Sequence, residues 1–330
     1  MGLPRLNRRR FAQGALLAPC MELALAGPDV QRQSRVLMGT RVQIVAPGRA
    51  ADLAPALAAA WAEMARLEAL LSRYRDDNPV AALAARAGRQ PLRVAPELVA
   101  VLQQARTVSA RSAGAFDVTV GAYRDWHFES GEPVSQPPSA ERLRAQARQV
   151  DWRAIEIDGE QVLLNRPGMR LDLGGIAKLP ILAAGLQTLR QHGLRDALID
   201  GGGDIGAMGQ IDGRPWRVGL RDPLAPQRLL GTVAVRDGWV ASSGDYERSF
   251  VHQGRLYHHV LDPRSGEPAQ GLHGISLMAS DWRSINGLGT ALMVRGLGAI
   301  ERWTGPSIQA VAVAPGARRW QSLSLRLASA

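Results

Sequence analysis

From residue 197 to the C-terminus the chain is a succession of short apolar runs, several of them separated only by turns. Residues 197–199, 216–220, 230–235, 239–241, 257–261, 275–278, 309–313 and 320–325 each read as a strand. Strands joined this tightly cannot make the regular strand–helix–strand alternation of a doubly wound sheet, so the pattern is α+β. Residues 36–46, 154–157, 162–165 and 170–173 add strands upstream. Apolar residues recur at helical spacing over 52–74, where Leu53, Leu57, Trp61, Met64, Leu67 and Leu71 share one face. Further helices are expected over 96–112, 140–148, 176–192 and 285–295, with 298–303 continuing or restarting the last. The expected fold is a single α+β domain with a mixed, largely antiparallel sheet flanked by helices. No internal repeat and no long linker divides it.

The first 26 residues stand outside that domain. Asn7-Arg8-Arg9-Arg10-Phe11 is a twin-arginine pattern, and an apolar run over 12–26 follows. The run is too short to span a membrane as a helix. Ala24-Leu25-Ala26 has the small-x-small form of a signal-peptidase site. The expectation is a twin-arginine signal peptide over 1–26 that delivers a folded domain, 27–330, to the periplasm. Cys20, the single cysteine, lies inside this segment. Pro19 makes Leu17-Ala18-Pro19-Cys20 a poor lipobox, which argues against a lipid anchor. Cleavage would leave a chain without thiol chemistry. The net charge of +10 could suit nucleic acid or a membrane surface. The arginines are scattered among carboxylates, however, and no aromatic recognition motif accompanies them, so no nucleic-acid partner is expected.

Candidate chemistry concentrates in residues 170–206, which run from RLDLGGIAKLP through a helix to ALIDGGGDIG. Lys178 is the only lysine among 40 Lys+Arg positions. A compact ammonium at a glycine-flanked helix start suits an anion, or a space too tight for a guanidinium fork. The turn from Gly174 to Lys178 offers helix-start N–H groups to a phosphate but lacks P-loop spacing. The stretch Gly201-Gly202-Gly203-Asp204-Ile205-Gly206 matches G-x-G-x-x-G, yet turn residues follow where a Rossmann fingerprint needs a helix. It reads as backbone approached closely by a bulky ligand, or as a simple turn. Ser242-Ser243-Gly244-Asp245-Tyr246 and the segment from His258 to Gly266 are polar turns at strand ends. The histidine pair has no further Cys/His set at ligand spacing, which disfavours zinc. A histidine near an aspartate suits a general base. Asn286 and Thr290, at i and i+4 of a helix start, put an amide oxygen and a hydroxyl on one face. Such hard donors suit Mg²⁺ when substrate phosphates complete its shell.

Eight blocks occur in order: MGT at Met38, SRYRDDN at Ser72, FDVTVG at Phe116, LDLGGIAK at Leu171, GGDIG at Gly202, SSGDY at Ser242, YHHVLDPRSG at Tyr257 and INGLGTAL at Ile285. Together, over residues 38–302, they resemble the FAD:protein FMN transferases of the ApbE type. The resemblance implies a T-fold-like domain that takes FAD as substrate together with Mg²⁺. It implies transfer of FMN to a threonine hydroxyl of a target protein, with release of AMP. The acceptor would be a protein of a membrane or periplasmic redox system, with association at the membrane surface one option. By position, the backbone carbonyl of Ala177 and the side chains of Asn286 and Thr290 fall on metal-ligand positions. His259 falls on the proposed base, and Lys178 beside the reacting groups. Met38, Tyr74, Asp117, Thr119, Lys178, Gly203, Asp204, Ser243, Asp245 and His259 fall on or beside the flavin-nucleotide site, where Tyr74 could stack on a ring.

Two positions depart from the family pattern. Asn286 stands where members usually carry aspartate, which removes one negative charge from a hard-cation site and cannot serve as a base. Leu179-Pro180 stands in place of the usual Gly-Tyr after the lysine. Two alternatives therefore stay open: a periplasmic FAD-binding protein with weak or no transfer, and a diphosphatase that splits FAD to FMN and AMP.

Overall fold

A computed structural model describes residues 30–128 and 136–329. The twin-arginine segment, its cleavage site and Cys20 lie outside the described residues. In chain order the elements are β1 (Val30–Leu37), β2 (Thr40–Pro47), α1 (Ala50–Leu71), α2 (Pro79–Ala85), β3 (Leu92–Arg93), α3 (Pro96–Arg111), α4 (Ala140–Ala147), β4 (Ile155–Asp158) and β5 (Gln161–Leu164). They continue with α5 (Lys178–Gln191), β6 (Ala197–Gly201), β7 (Ile205–Met208), β8 (Trp216–Asp222), β9 (Ala225–Val235), β10 (Gly238–Gly244), β11 (Ser249–His252) and β12 (Arg255–His258). The last are β13 (Gly274–Ala279), α6 (Trp282–Ile285), α7 (Leu288–Arg295), α8 (Ile300–Trp303), β14 (Gln309–Ala314) and β15 (Arg318–Gln321).

Eight strands form one sheet in the order β1-β2-β6-β7-β10-β13-β14-β15, and each neighbouring pair is antiparallel. The α+β class and the largely antiparallel sheet are as expected from the turn-linked strands. Among the described residues, parallel pairing is confined to one isolated bridge, Val120 to Arg170.

Strand alternation divides the core into two layers. Val42, Ile44, Ala197, Ile199, Trp239, Ile275, Leu277, Ala310 and Ala312 face the helices. Their sequence neighbours Val45, Leu198, Val240, Met278 and Val311 face the β8–β9 hairpin, around the fully buried Trp216. On the helical side α1 and α5 lie against each other. Gly185 makes this contact possible, because a Cβ there would sit 2.7 Å from Met64 Sδ. A smaller aromatic cluster of Tyr123, Trp126 and Tyr257, with Phe128 and Phe250 against it, anchors the β11–β12 hairpin.

Several local expectations need correction. Residues 36–46 are not one strand but the β1–β2 hairpin. Met38 and Gly39 both take positive φ, 55° and 69°, as the tightest hairpin turns require. Residues 170–173 form no strand and instead lie beside 118–120 through the Val120 bridge and the Asp172 N–H on Val118 O. The helix expected over 285–295 is broken: α6 ends at Ile285, Gly287 takes φ 75°, and α7 starts at Leu288. The short elements α2, β7 and β11 were not expected. Asn78 starts α2, where its side chain accepts from the Ala81 N–H and donates to Ala69 O and Ser72 O.

Candidate active site

Turns far apart in sequence meet at one cleft. One wall begins where β6 ends. Gly202 and Gly203 take φ 75° and 96°, and a Cβ on Gly202 would lie 2.3 Å from Thr40 Oγ1. Only glycine lets this loop close over β2. The Gly203 N–H donates to Asp200 Oδ1 at 2.9 Å, while burial pushes the Asp200 carboxyl up from its ordinary range. Asp204 is then aimed at the start of α5. Its Oδ2 meets Lys178 Nζ at 2.7 Å, and its Oδ1 accepts from the Ser242 N–H of β10 at 3.0 Å. Burial alone would depress the Lys178 ammonium. The charge and hydrogen bond of Asp204 outweigh it and hold the pKa above the ordinary lysine value. The sole lysine is thus a permanently charged group beside a glycine loop.

The opposite wall is organised by Arg248, in the turn between β10 and β11. Its Nη1 donates to the Tyr74 hydroxyl at 3.1 Å and its Nη2 to Met38 O at 3.4 Å. Its own carbonyl accepts from the His259 N–H at 3.0 Å. Arg73 stacks over the Tyr74 ring at 4.7 Å and donates to Asp172 Oδ2 at 2.8 Å. Asp172 Oδ1 in turn accepts from the Gly174 N–H, which shapes the turn ahead of α5. Met38 is held from behind, its N–H on Glu68 Oε1 at 2.5 Å. Tyr74 is 56% exposed, so one face of its ring is open to a planar ligand.

His259 follows β12 onto this wall and is exposed. Surrounding protein, the Arg248 guanidinium and His258 lower its pKa to about 3, and Asp172 opposes them only weakly. The open face tempers the burial, but the nearby cation pushes the same way, so the imidazole is uncharged at neutral pH. An uncharged imidazole can accept a proton or a hydrogen bond.

The two walls join at a third cluster. The 174–177 turn packs on the start of α7 so closely that a Cβ on Gly175 would lie 3.0 Å from Thr290 Oγ1. A Cβ on Gly289 would lie 2.6 Å from Ser243 Oγ, which ties Ser243 to the same corner. Asn286 and Thr290 are not one turn apart on a helix, as the spacing suggests. Asn286 ends α6 with ψ 125°, and its Nδ2 donates to Ile176 O and to Gln104 Oε1, both at 2.9 Å. Tertiary contact with the 175–177 turn brings them together. The Ala177 carbonyl, Asn286 Oδ1 and Thr290 Oγ1 are neutral hard oxygens, a set that fits Mg²⁺ if anionic phosphates complete the shell. Among the described residues no group of three or more His, Cys, Asp or Glu could hold a metal.

Asp117 and Thr119 have their side-chain oxygens occupied away from the lysine, and Asp245 has one of its two so occupied. Asp117 Oδ1 accepts from the Thr119 N–H and hydroxyl at 2.8 and 2.6 Å, and Oδ2 accepts from the Trp152 N–H at 3.0 Å. Thr119 Oγ1 also accepts from the Asp151 N–H. This knot braces the loop on which residues 170–172 run, and burial raises the Asp117 pKa. Asp245 Oδ2 binds His273 Nδ1 at 2.6 Å. In contrast Met38, Tyr74, Lys178, Gly203, Asp204, Ser243 and His259 all touch the cleft or its immediate supports. Sequence reasoning missed Arg73, Asp172 and Arg248. The first two lay inside recognised blocks, and Arg248 lies two residues past SSGDY, an arginine among many with nothing local to single it out.

A profile of the ApbE family matches residues 38–313. A FAD:protein FMN transferase of Treponema pallidum (strain Nichols) is 35% identical over 283 residues, covering 80% of this chain and 78% of that protein. One from Klebsiella pneumoniae (strain 342) is 33% identical over 238 residues, covering 71% and 72%. The crystal structure of the ApbE protein of Thermotoga maritima MSB8 superposes with a TM-score of 0.81 at 26% identity, covering 89% of this chain and 97% of that one.

Proposed function

This chain belongs to the ApbE family, and we propose that it is a FAD:protein FMN transferase that moves FMN from FAD to a threonine hydroxyl of a target protein and releases AMP. The observation that carries this reading is the tying together of distant segments at one site: Lys178 pairs with Asp204, Arg248 joins Tyr74, Met38 and His259, and Asn286 bonds the turn before Lys178. The threonine oxygen attacks the phosphorus on the FMN side of the pyrophosphate. A new P–O bond forms, the bridging P–O bond breaks, and AMP leaves with the electron pair. The threonine proton passes to the His259 imidazole.

Lys178 and Arg248 face the growing charge on the phosphate oxygens, and the Gly202-Gly203 backbone lets the nucleotide approach closely. Tyr74 offers its open ring face to a flavin or adenine. A base with so low a pKa holds a proton poorly. Anionic FAD beside Arg248 offsets the repulsion that depresses His259 and so raises its basicity when substrate is bound. A Mg²⁺ held by the Ala177 carbonyl, Asn286 and Thr290 would neutralise pyrophosphate charge.

Asn286 favours a second reading, a FAD-binding protein with weak transfer, because the site lacks the usual carboxylate charge. One assay separates these readings and the diphosphatase. Purified protein is incubated with FAD, Mg²⁺ and a protein carrying an acceptor threonine. A flavin-fluorescent acceptor band with AMP supports transfer, FAD retention without product supports the binder, and AMP without labelled acceptor supports hydrolysis. The twin-arginine segment supports export to the periplasm, with an acceptor in a membrane or periplasmic redox system. Fractionation of cells expressing the full chain, with and without Arg8 and Arg9, tests it.

A further inference from the structure

We propose that Gln104 is a positioning residue that locks the Asn286 amide with its oxygen turned toward the cation site, and that this site is matched to asparagine, not aspartate, at 286. The proposal rests on the cation site described under the proposed function. Asn286 is buried between α6 and α7 and donates from Nδ2 to Ile176 O and to Gln104 Oε1. Gln104, on α3, donates from Nε2 to Arg283 O at 3.0 Å. The relay therefore runs from one backbone carbonyl to another.

A backbone carbonyl can only accept. Ile176 O demands an N–H from Asn286, and Arg283 O demands one from Gln104. That leaves the Gln104 oxygen to face Asn286, so both amides are fixed in one orientation. Neither can flip without setting an oxygen against a carbonyl. With both Nδ2 protons committed to Ile176 O and Gln104 Oε1, Oδ1 is the atom of Asn286 left for a cation.

Aspartate at 286 has no proton for Ile176 O. One carboxylate oxygen would stand against that carbonyl at the 2.9 Å now spanned by the hydrogen bond. Gln104 could serve it only by flipping, which turns Oε1 onto Arg283 O. The seemingly obvious repair of the departure from the family pattern thus adds charge to the cation site but breaks the relay that shapes it. Asn286 and Gln104 are a matched pair.

A double-mutant cycle with Asn286→Asp and Gln104→Ala tests this. Thermal unfolding of the unliganded proteins reads the relay alone. Asn286→Asp is expected to unfold at lower temperature, and Gln104→Ala is expected to cost less in that background than in the native one. Wild-type stability of Asn286→Asp, or strictly additive effects, would overturn the relay. Calorimetric titration of Mg²⁺ into the FAD complex reads positioning. Gln104→Ala is expected to weaken Mg²⁺ binding roughly three- to tenfold while metal-free FAD affinity stays unchanged. Unchanged Mg²⁺ affinity would reduce Gln104 to a structural contact. Should the wild-type FAD complex take up no Mg²⁺, the cation site itself fails and the positioning role with it, while the unliganded cycle still decides the relay.

Discussion

Replacing Lys178 by methionine tests the wall that carries the sole lysine. Lys178 Nζ lies 2.7 Å from Asp204 Oδ2, with the two side chains 29% and 12% exposed. The variant keeps the stem's volume and removes the charge. Asp204 then retains one hydrogen bond, from the Ser242 N–H, and no countercharge. Breaking a buried pair from one side costs about 3–5 kcal/mol, and the partial exposure here discounts that to about 2–3 kcal/mol. In a chain of this size that corresponds to a melting temperature lower by roughly 3–5 °C. The sign with pH follows from the direction of the lysine shift. Its raised folded-state pKa makes the contribution complete below the ordinary lysine value and lost only as pH rises through the folded one, so neutral pH reads the whole effect. Scanning calorimetry of wild type, Lys178→Met and Lys178→Met/Asp204→Asn at neutral pH measures this. Wild-type stability of Lys178→Met at pH 7, or no recovery in the double variant, would refute the ion pair as the element that closes this wall.

His259→Gln should retain FAD and lower flavin transfer by about 10²–10⁴-fold, read as fluorescent acceptor per unit time. Because the surrounding protein and the Arg248 guanidinium lower the His259 pKa, kcat/KM should inflect below the ordinary histidine value; a break at or above that value would mean that the residue is not depressed or is not the base. The same depression makes a stabilising contribution that is complete above the ordinary histidine pKa and fades as pH falls below it. Thr119→Val removes two hydrogen bonds from the buried Asp117 knot and should cost about 1–3 kcal/mol in urea unfolding, with FAD affinity unchanged in the folded variant; a selective loss of FAD affinity would place Thr119 on the ligand instead. Gly202→Ala should destabilise the protein and weaken FAD binding, and Thr40→Ala in the same chain should recover only part, since the Oγ1 clash is relieved but the positive φ is not; full recovery would show that φ is immaterial there.

Helices α1, α3 and α5 and most strands were legible because each rests on a local period that burial enforces: Leu53, Leu57, Trp61 and Met64 face one way whatever lies opposite them. The sequence blocks likewise assign Lys178, Gly203 and Asp204 to one nucleotide site. What escaped had no local signature. Met38 carries no mark of a residue that turns a hairpin at φ 55°, and the apolar spacing over 285–295 runs straight through the break at Asn286 and Gly287.

Motifs also do not say which polar atoms are already taken. Asp117 and Asp204 look alike in sequence, yet Asp117 is tied to its own loop by Thr119 and Trp152 while Asp204 pairs with the site's lysine. The sequence by itself determined the class of fold, through local apolar periods, and the family resemblance, through eight ordered blocks that carry the site's residues. Only the tertiary structure decided that Arg248 joins Tyr74 and Met38 from 174 and 210 residues away, and that Gln104 orients Asn286 across 182. The state of a charge or an amide depends on what surrounds it in space, and chain neighbours supply little of that environment.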